Sequence, residues 1–294
     1  TDMAFSLQSI ASVYAAKNQP DKAFEALKKS SEITERALAL NLATGSERQK
    51  FAYLALSAQS TNQILSIQNM FPDDTNLREL ALTTILQRKG RIQDALVDTF
   101  GRLKQKSSGE QKILFEKLNE LNAKLANLVL NEPKGVSVDE YQKQIETLEA
   151  EKEKIEIEIS RTNAEYANQI KPVTVQAINR SLDKDTALIE FTAYRKYNPK
   201  SKTRKDELGE WQYAAYLING EGEIKSFNLG DANTIDGFVE KYRKAIAEPQ
   251  NADFKKVSRE LDTKLFSMIR PKVSNQKRLL ISPEGGLNLI PFEA

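Results

Sequence analysis

Hydrophobic patterning divides this chain near Lys171-Pro172. Before that point apolar residues recur three or four positions apart, as on a helix. After it, short β-rich runs alternate with amphipathic segments. The first stretch, Leu7 to Ile33, sets Leu7, Ile10, Ala11 and Tyr14 at helical spacing. It breaks at Asn18-Gln19-Pro20-Asp21, then continues with Ala23, Leu27 and Ser30. Pro20 and Asp21 suit the first turn of a second helix. A helix from about Ser46 to Met70 follows and stops at Phe71-Pro72-Asp73-Asp74. The next hairpin, Leu77 to Leu103, is expected to turn at Lys89-Gly90. After a polar break at Lys104 to Gly109, Leu114, Leu118, Leu121, Leu125 and Leu128 step by fours and threes. Pro133-Lys134-Gly135 turns the chain, and Ser137 with Glu140 has the spacing of a capping box. Ile145, Leu148, Lys152, Ile155, Ile159, Thr162 and Tyr166 then keep heptad spacing, which predicts an antiparallel hairpin of coiled-coil type.

Beyond Pro172 the pattern predicts a short helix at Thr174 to Leu182. Strands follow at Thr186 to Tyr194, Trp211 to Ile218 and Glu223 to Gly230, the last two joined by a hairpin at Asn219-Gly220-Glu221-Gly222. Asp236 to Ala247 and Phe254 to Ile269 read as amphipathic helices, able to form the crossover of a parallel strand pair. Lys277 to Ser282 reads as an interior strand of the same sheet. Leu279 and Ile281 would face one side and Leu280 the other, with helices over both faces. The expected fold class is α+β and multi-domain: a mainly α N-terminal repeat and helical-hairpin region, then an incomplete α/β sheet domain.

Composition narrows the chemistry. Lys plus Arg is 43 against 41 for Asp plus Glu, a formal charge of +2, so neither nucleic acid nor membrane is an expected partner. No apolar run approaches the roughly 18 residues of a membrane span, and the start, TDMAFSLQSI, lacks the pattern of a signal peptide. A cytoplasmic location is expected. The sequence holds no cysteine and no histidine, which removes thiol nucleophiles, disulfides, the usual neutral-pH base and the commonest metal ligands. No G-x-x-x-x-G-K phosphate loop and no acidic constellation offers a magnesium enzyme. Catalytic, cofactor and metal residues are therefore expected to be none. The loop Arg195 to Glu210 carries Arg195, Lys196, Lys200, Lys202, Arg204 and Lys205 before its first acid, Asp206. Such a loop grips an acidic group or is simply solvated.

The Leu7–Ser30 spacing resembles the tetratricopeptide repeat, with Leu7, Ile10, Ala11 and Tyr14 in its first helix and Ala23 and Leu27 in its second. Ser30 and Glu35 replace its usual alanine and proline. Ala95 stands 72 positions after Ala23, close to two periods of about 34 residues; an ordinary helical bundle is the alternative. In a repeat of this kind Gln8 and Ser12 would face a concave groove and bind a peptide backbone.

The order of repeats, hairpin, TALIEFTAY, WQYAAYLI and RLLISPEGGLNLIPFEA resembles the bacterial CHAT proteins, caspase-like domains attached to tetratricopeptide repeats and common in cyanobacteria. Pro283-Glu284-Gly285 and Ile290-Pro291-Phe292 carry the most specific match, and Leu80 to Asp98 a second. The resemblance implies residues 1–106 as repeats, 107–171 as a long helical hairpin and 172–294 as the N-terminal part of a caspase-like domain. It implies a cysteine-peptidase parent whose histidine and cysteine follow Ala294, this chain being a truncated, non-catalytic regulatory part. The alternative is a stand-alone scaffold with no peptidase parent. A protein or peptide partner through the repeats is expected. So is self-association through an unpaired sheet edge, where Leu287, Leu289 and Phe292 would lack cover.

Overall fold

A computed structural model describes residues 2–44, 47–96, 99–131, 138–162, 173–198, 201, 207–248 and 253–292. The chain is mostly helical with one four-stranded mixed sheet, an α+β arrangement. It forms two compact units. One contains Thr1–Ile10, Glu25–Ser60 and Leu86–Val173; the other contains Ala11–Phe24, Thr61–Ile85 and Thr174–Ala294.

The helices of the first half are α1 (Asp2–Ala16), α2 (Pro20–Thr44), α3 (Glu47–Met70), α4 (Thr75–Leu96), α5 (Thr99–Lys106), α6 (Glu110–Leu130) and α7 (Val138–Thr162). Pro20 opens α2 because its fixed φ suits a first turn whose N–H has no intrahelical partner. Ala11, Ala23, Leu27 and Ser30 are buried, but Ile10 is 45% exposed. α4 runs straight through Lys89-Gly90, which corrects the expected turn. A helical glycine costs only about 1 kcal/mol relative to alanine, and Leu86, Gln87, Arg88, Lys89 and Arg91 around it are good helix formers.

In the first unit α6 and α7 pair over a small core of Leu103, Phe115, Leu118 and Ile159, with Leu114 and Ile155 partly buried against it. Arg88 forms an ion pair with Glu35, and the Ser30 hydroxyl donates to the Ala4 carbonyl at 3.0 Å. Lys152, on the expected heptad seam, is half-buried and lies 3.5 Å from Glu156. The expected turn at Pro133-Lys134-Gly135, Ser137 and Tyr166 lie outside the described residues.

The second unit holds the sheet. After α8 (Val175–Ser181), capped by the Thr174 side chain, come β1 (Thr186–Tyr197), β2 (Leu208–Asn219) and β3 (Ile224–Asp231). They are followed by α9 (Ala232–Ala247), α10 (Phe254–Phe266), α11 (Arg270–Val273) and β4 (Arg278–Ser282). The strand order is β3-β2-β1-β4. β2 is antiparallel to both neighbours, and β4 is parallel to β1. One face buries Ala187, Ile189, Phe191, Tyr213, Ala215 and Leu217 against Ile235, Val239, Leu261 and Leu265.

β4 is the sheet edge among the described residues, not the interior strand expected. Leu279 and Leu280 are 39% and 43% exposed. The segment after it corrects the expectation in the other direction at two of three positions. Gly285–Leu289 is a 3-10 turn, Leu287 is fully buried, and the Phe292 ring stacks on Phe191 with centroids 6.0 Å apart, while Leu289 is 50% exposed, as expected.

Candidate functional site

Within the second unit, the sheet face opposite the aliphatic core is polar. Alternation along β1 and β2 brings Glu190 opposite Tyr216, Thr192 opposite Ala214 and Tyr194 opposite Gln212. The last turns of α3 meet this face with side chains that match it. The Tyr216 hydroxyl donates to Gln68 Oε1 at 2.7 Å, and Gln68 Nε2 donates to Ser226 Oγ at 2.9 Å. Asn69 Nδ2 donates to the Tyr194 hydroxyl. The backbone N–H groups of Arg195 and Tyr197, beyond the reach of β4, are taken up by Asn62 Oδ1 at 2.9 Å and Ser66 Oγ at 2.7 Å. The helix thus supplies the partners that a further strand would otherwise give to this part of the edge.

Beside this network lies a pocket of about 650 Å³ lined by Ser66, Asn69, Met70, Tyr194, Lys196 and Tyr197, with Asn198, Gly209, Gln212 and Asn228 completing the wall. Among the described residues, amides, phenols and one amine face it, and no carboxylate does. Burial pushes the Tyr194 phenol up to about 12, against the opposing pull of the Asn69 amide. Burial pushes Tyr216 well above the ordinary tyrosine value. Both phenols therefore stay neutral at physiological pH and act as hydrogen-bonding groups. The wall can both donate and accept hydrogen bonds, with Met70 (41% exposed) supplying an apolar contact.

A second polar cluster fastens the turn after β4. The Tyr213 hydroxyl donates to Asp236 Oδ1 and accepts from the Gly286 N–H, both at 2.9 Å. Burial first, and the Asp236 carboxylate second, push Tyr213 up to about 12. Gly285 has φ +61°, and a Cβ there would lie 2.5 Å from the Tyr213 hydroxyl. Ser282 Oγ donates to the buried Glu190 at 2.8 Å. The Gly-Gly sequence follows from close packing, Gly285 against the Tyr213 hydroxyl and Gly286 against the Asp236 carboxylate.

Gln8 and Ser12, expected in an open groove, are 8% and 6% exposed. Ser12 Oγ receives Gln63 Nε2 at 2.6 Å and shares a hydrogen bond with the Tyr197 hydroxyl at 3.0 Å. Neither residue lines the pocket. Of the basic loop, Arg195 folds back onto the carbonyls of Gly209 and Leu208, and Lys196 reaches the pocket. Lys200, Lys202, Arg204 and Lys205 lie outside the described residues. The residues that sequence reasoning missed are Gln68, Asn69, Tyr194 and Tyr197. The available signal was the alternation of aromatics in TAYRKY and the amide-rich end of α3. Among the described residues no group of three or more acids is gathered as for a metal ion, and no helix is long and apolar enough to cross a membrane.

No protein-family model, no curated protein and no solved structure matches this chain. The expectation that the chain is part of a cysteine peptidase is corrected here. The chain has no cysteine, no match supplies a peptidase relative, and the assignment is dropped.

Proposed function

We propose that this chain is a protein-interaction protein, and that it receives an extended peptide segment of a partner in the pocket beside α3 and β1. The observation that carries this reading is the lining: Asn69, Asn198, Gln212 and Asn228 with the phenols of Tyr194 and Tyr197, and no carboxylate among the described residues. Amide side chains offer a donor and an acceptor together, which matches the alternating groups of a peptide backbone. The tetratricopeptide-like spacing of α1 and α2 supports the same class of function. In this reading the chain is a multi-domain cytoplasmic scaffold, and the caspase-like character of residues 172–294 concerns its architecture alone, resting on the Pro283–Phe292 motif.

The test is selection of peptides from a displayed random library, followed by titration of the winners against two variants. Met70→Glu and Gln212→Ala alter the wall at half-buried or exposed positions outside the hydrogen-bond network of Tyr216 and Gln68. Each should weaken a selected peptide about tenfold or more, a loss of about 1.4 kcal/mol. Trp211, the only tryptophan, precedes Gln212 and is half exposed, so its emission should shift on binding. Peptides that bind both variants as well as the parent would remove the pocket from the reading.

A further inference from the structure

The two edges of the sheet are treated differently. On β3 the register shifts between Tyr213 and Ala214, where Gly230 and Asn228 are the partners, so Leu229 is an extra residue. Gly230 has φ +91°, and the Arg78 guanidinium donates to the Ile224 carbonyl at 3.3 Å. A bulge and a charged side chain are devices that keep an edge from pairing. β4 has neither.

In the parallel ladder Arg278, Leu280 and Ser282 turn their backbone groups to β1, with the Arg278 N–H on the Asp185 carbonyl at 3.1 Å. The N–H and C=O of Leu279 and Ile281 therefore point outward. The side chains of Leu279 and Leu280 stand on opposite faces, and both are exposed. No charge and no proline lies between Leu279 and Ser282.

We propose that β4 pairs antiparallel with β4 of a second copy of this chain, about a two-fold axis at Leu280. In this register Leu279 exchanges its N–H and C=O with Ile281 of the copy, and Ile281 does the same with Leu279 of the copy. Their side chains then meet on one face, and the two Leu280 side chains meet on the other. Charge favours this direction over a parallel pair. Lys277 and Arg278 stand at one end of β4 and Glu284 just beyond the other, so antiparallel pairing sets each basic end beside the copy's acid. Arg278 is free enough to turn, lying 4.0 Å from Asp183 with both side chains more than two-thirds exposed. A two-fold pair closes on itself, so the product is a dimer and not a filament. The contact is short, which sets it among weak, concentration-dependent interfaces.

Sedimentation velocity over a micromolar to high-micromolar series should show the mass doubling. Leu280→Lys and Leu280→Glu change a side chain that is 43% exposed on the face away from the aliphatic core, and circular dichroism checks that both fold. Each variant alone should lose dimerisation about tenfold or more, because like charges meet at the axis. An equimolar mixture of the two should dimerise again. Amide exchange on dimerisation should slow at Leu279 and Ile281 but leave Leu280 and Ser282 unchanged. A parent chain that stays monomeric overturns the proposal, as does growth beyond the dimer or a charged pair that fails to recombine. Amides of Leu279 and Ile281 already protected in the dilute monomer would show the edge covered by this chain itself, and would overturn it equally.

Discussion

Replacing Tyr216 by phenylalanine removes a single oxygen from the centre of the second unit. The side chain is fully buried, and its hydroxyl donates to Gln68 Oε1 at 2.7 Å; Gln68 is itself fully buried. The substitution leaves the ring in place, so the packing loss is small. Its cost is the hydrogen bond, about 1 kcal/mol net, with the penalty of a buried amide oxygen left without a donor, about 1–3 kcal/mol. The expected destabilisation is about 2 kcal/mol. Gln68→Met alone leaves the Tyr216 hydroxyl without an acceptor and should cost a similar amount. The double variant removes both partners together and should cost clearly less than the sum, because neither polar group is stranded. Ser226, which loses the Gln68 donor, is half-buried and can turn to water. Urea unfolding followed through Trp211, which sits on β2 of the same sheet, reads this unit directly. The midpoint should fall with an unchanged slope. A loss under about 0.5 kcal/mol for Tyr216→Phe, or strict additivity in the double variant, would refute the idea that a satisfied polar network joins α3 to the sheet.

Alkaline pH tests the same burial. Tyr194 and Tyr213 are raised to about 12 and Tyr216 is also raised well above the ordinary value of 10.0, burial being the first cause in each. The unfolded chain therefore releases these protons first. Stability should be unaffected by them below about pH 10 and fall between about 10 and 12. Denaturation midpoints across that window check it, with Tyr194→Phe giving a shallower fall; a flat curve refutes it. A pair of glycines gives opposite signs. A Cβ at Gly220 would meet the Asp183 carbonyl oxygen at 2.2 Å, whereas one at Gly237, inside α9, meets nothing within 4 Å. Gly220→Ala should destabilise by about 1–3 kcal/mol and Gly237→Ala should stabilise by about 0.5–1 kcal/mol; thermal melts in parallel would expose the reasoning if the two moved together.

Strands and hairpin were legible because local chemistry alone decides them. Thr186 to Tyr194 alternates β-formers, and the Asn219-Gly220-Glu221-Gly222 turn is held by Asn219 Oδ1, which accepts from the N–H groups of Glu221 and Glu223 at 3.1 and 2.9 Å. The start of α9 was read four residues late. Asp231 Oδ1 takes the Thr234 N–H at 2.7 Å and so opens the helix directly after β3. Lys89-Gly90 misled because Gly after Lys looks like a stop, while the surrounding helix formers outweigh one glycine. The edge position of β4 was not legible at all. An apolar run reads as interior, and nothing within five residues says whether a neighbour pairs with it.

The candidate site was misplaced for a different reason. On α1 the residues turned inward are Ala4, Gln8, Ala11, Ser12 and Ala15, at offsets of three and four, while Ile10 and Val13 are about half exposed. A reading that ranks faces by hydrophobicity picks the larger side chains, whereas close helix packing selects the smaller ones. Gln8 and Ser12 were thus assigned to a groove when they belong to the packed stripe. On α3 the bias runs further. Every residue from Asn62 to Gln68 is buried, although Asn62, Gln63, Ser66 and Gln68 are polar. Such a helix reads as solvated, because hydropathy counts the cost of burying an amide and cannot see the phenol or backbone group that offsets it. Here Asn62 meets the Arg195 N–H, Gln63 the Ser12 hydroxyl, Ser66 the Tyr197 N–H and Gln68 the Tyr216 hydroxyl. Each partner lies 51 or more residues away in sequence. These bonds tolerate little displacement of α3, since a one-residue slip would strand all of them at once, so the network fixes the wall on which the pocket depends.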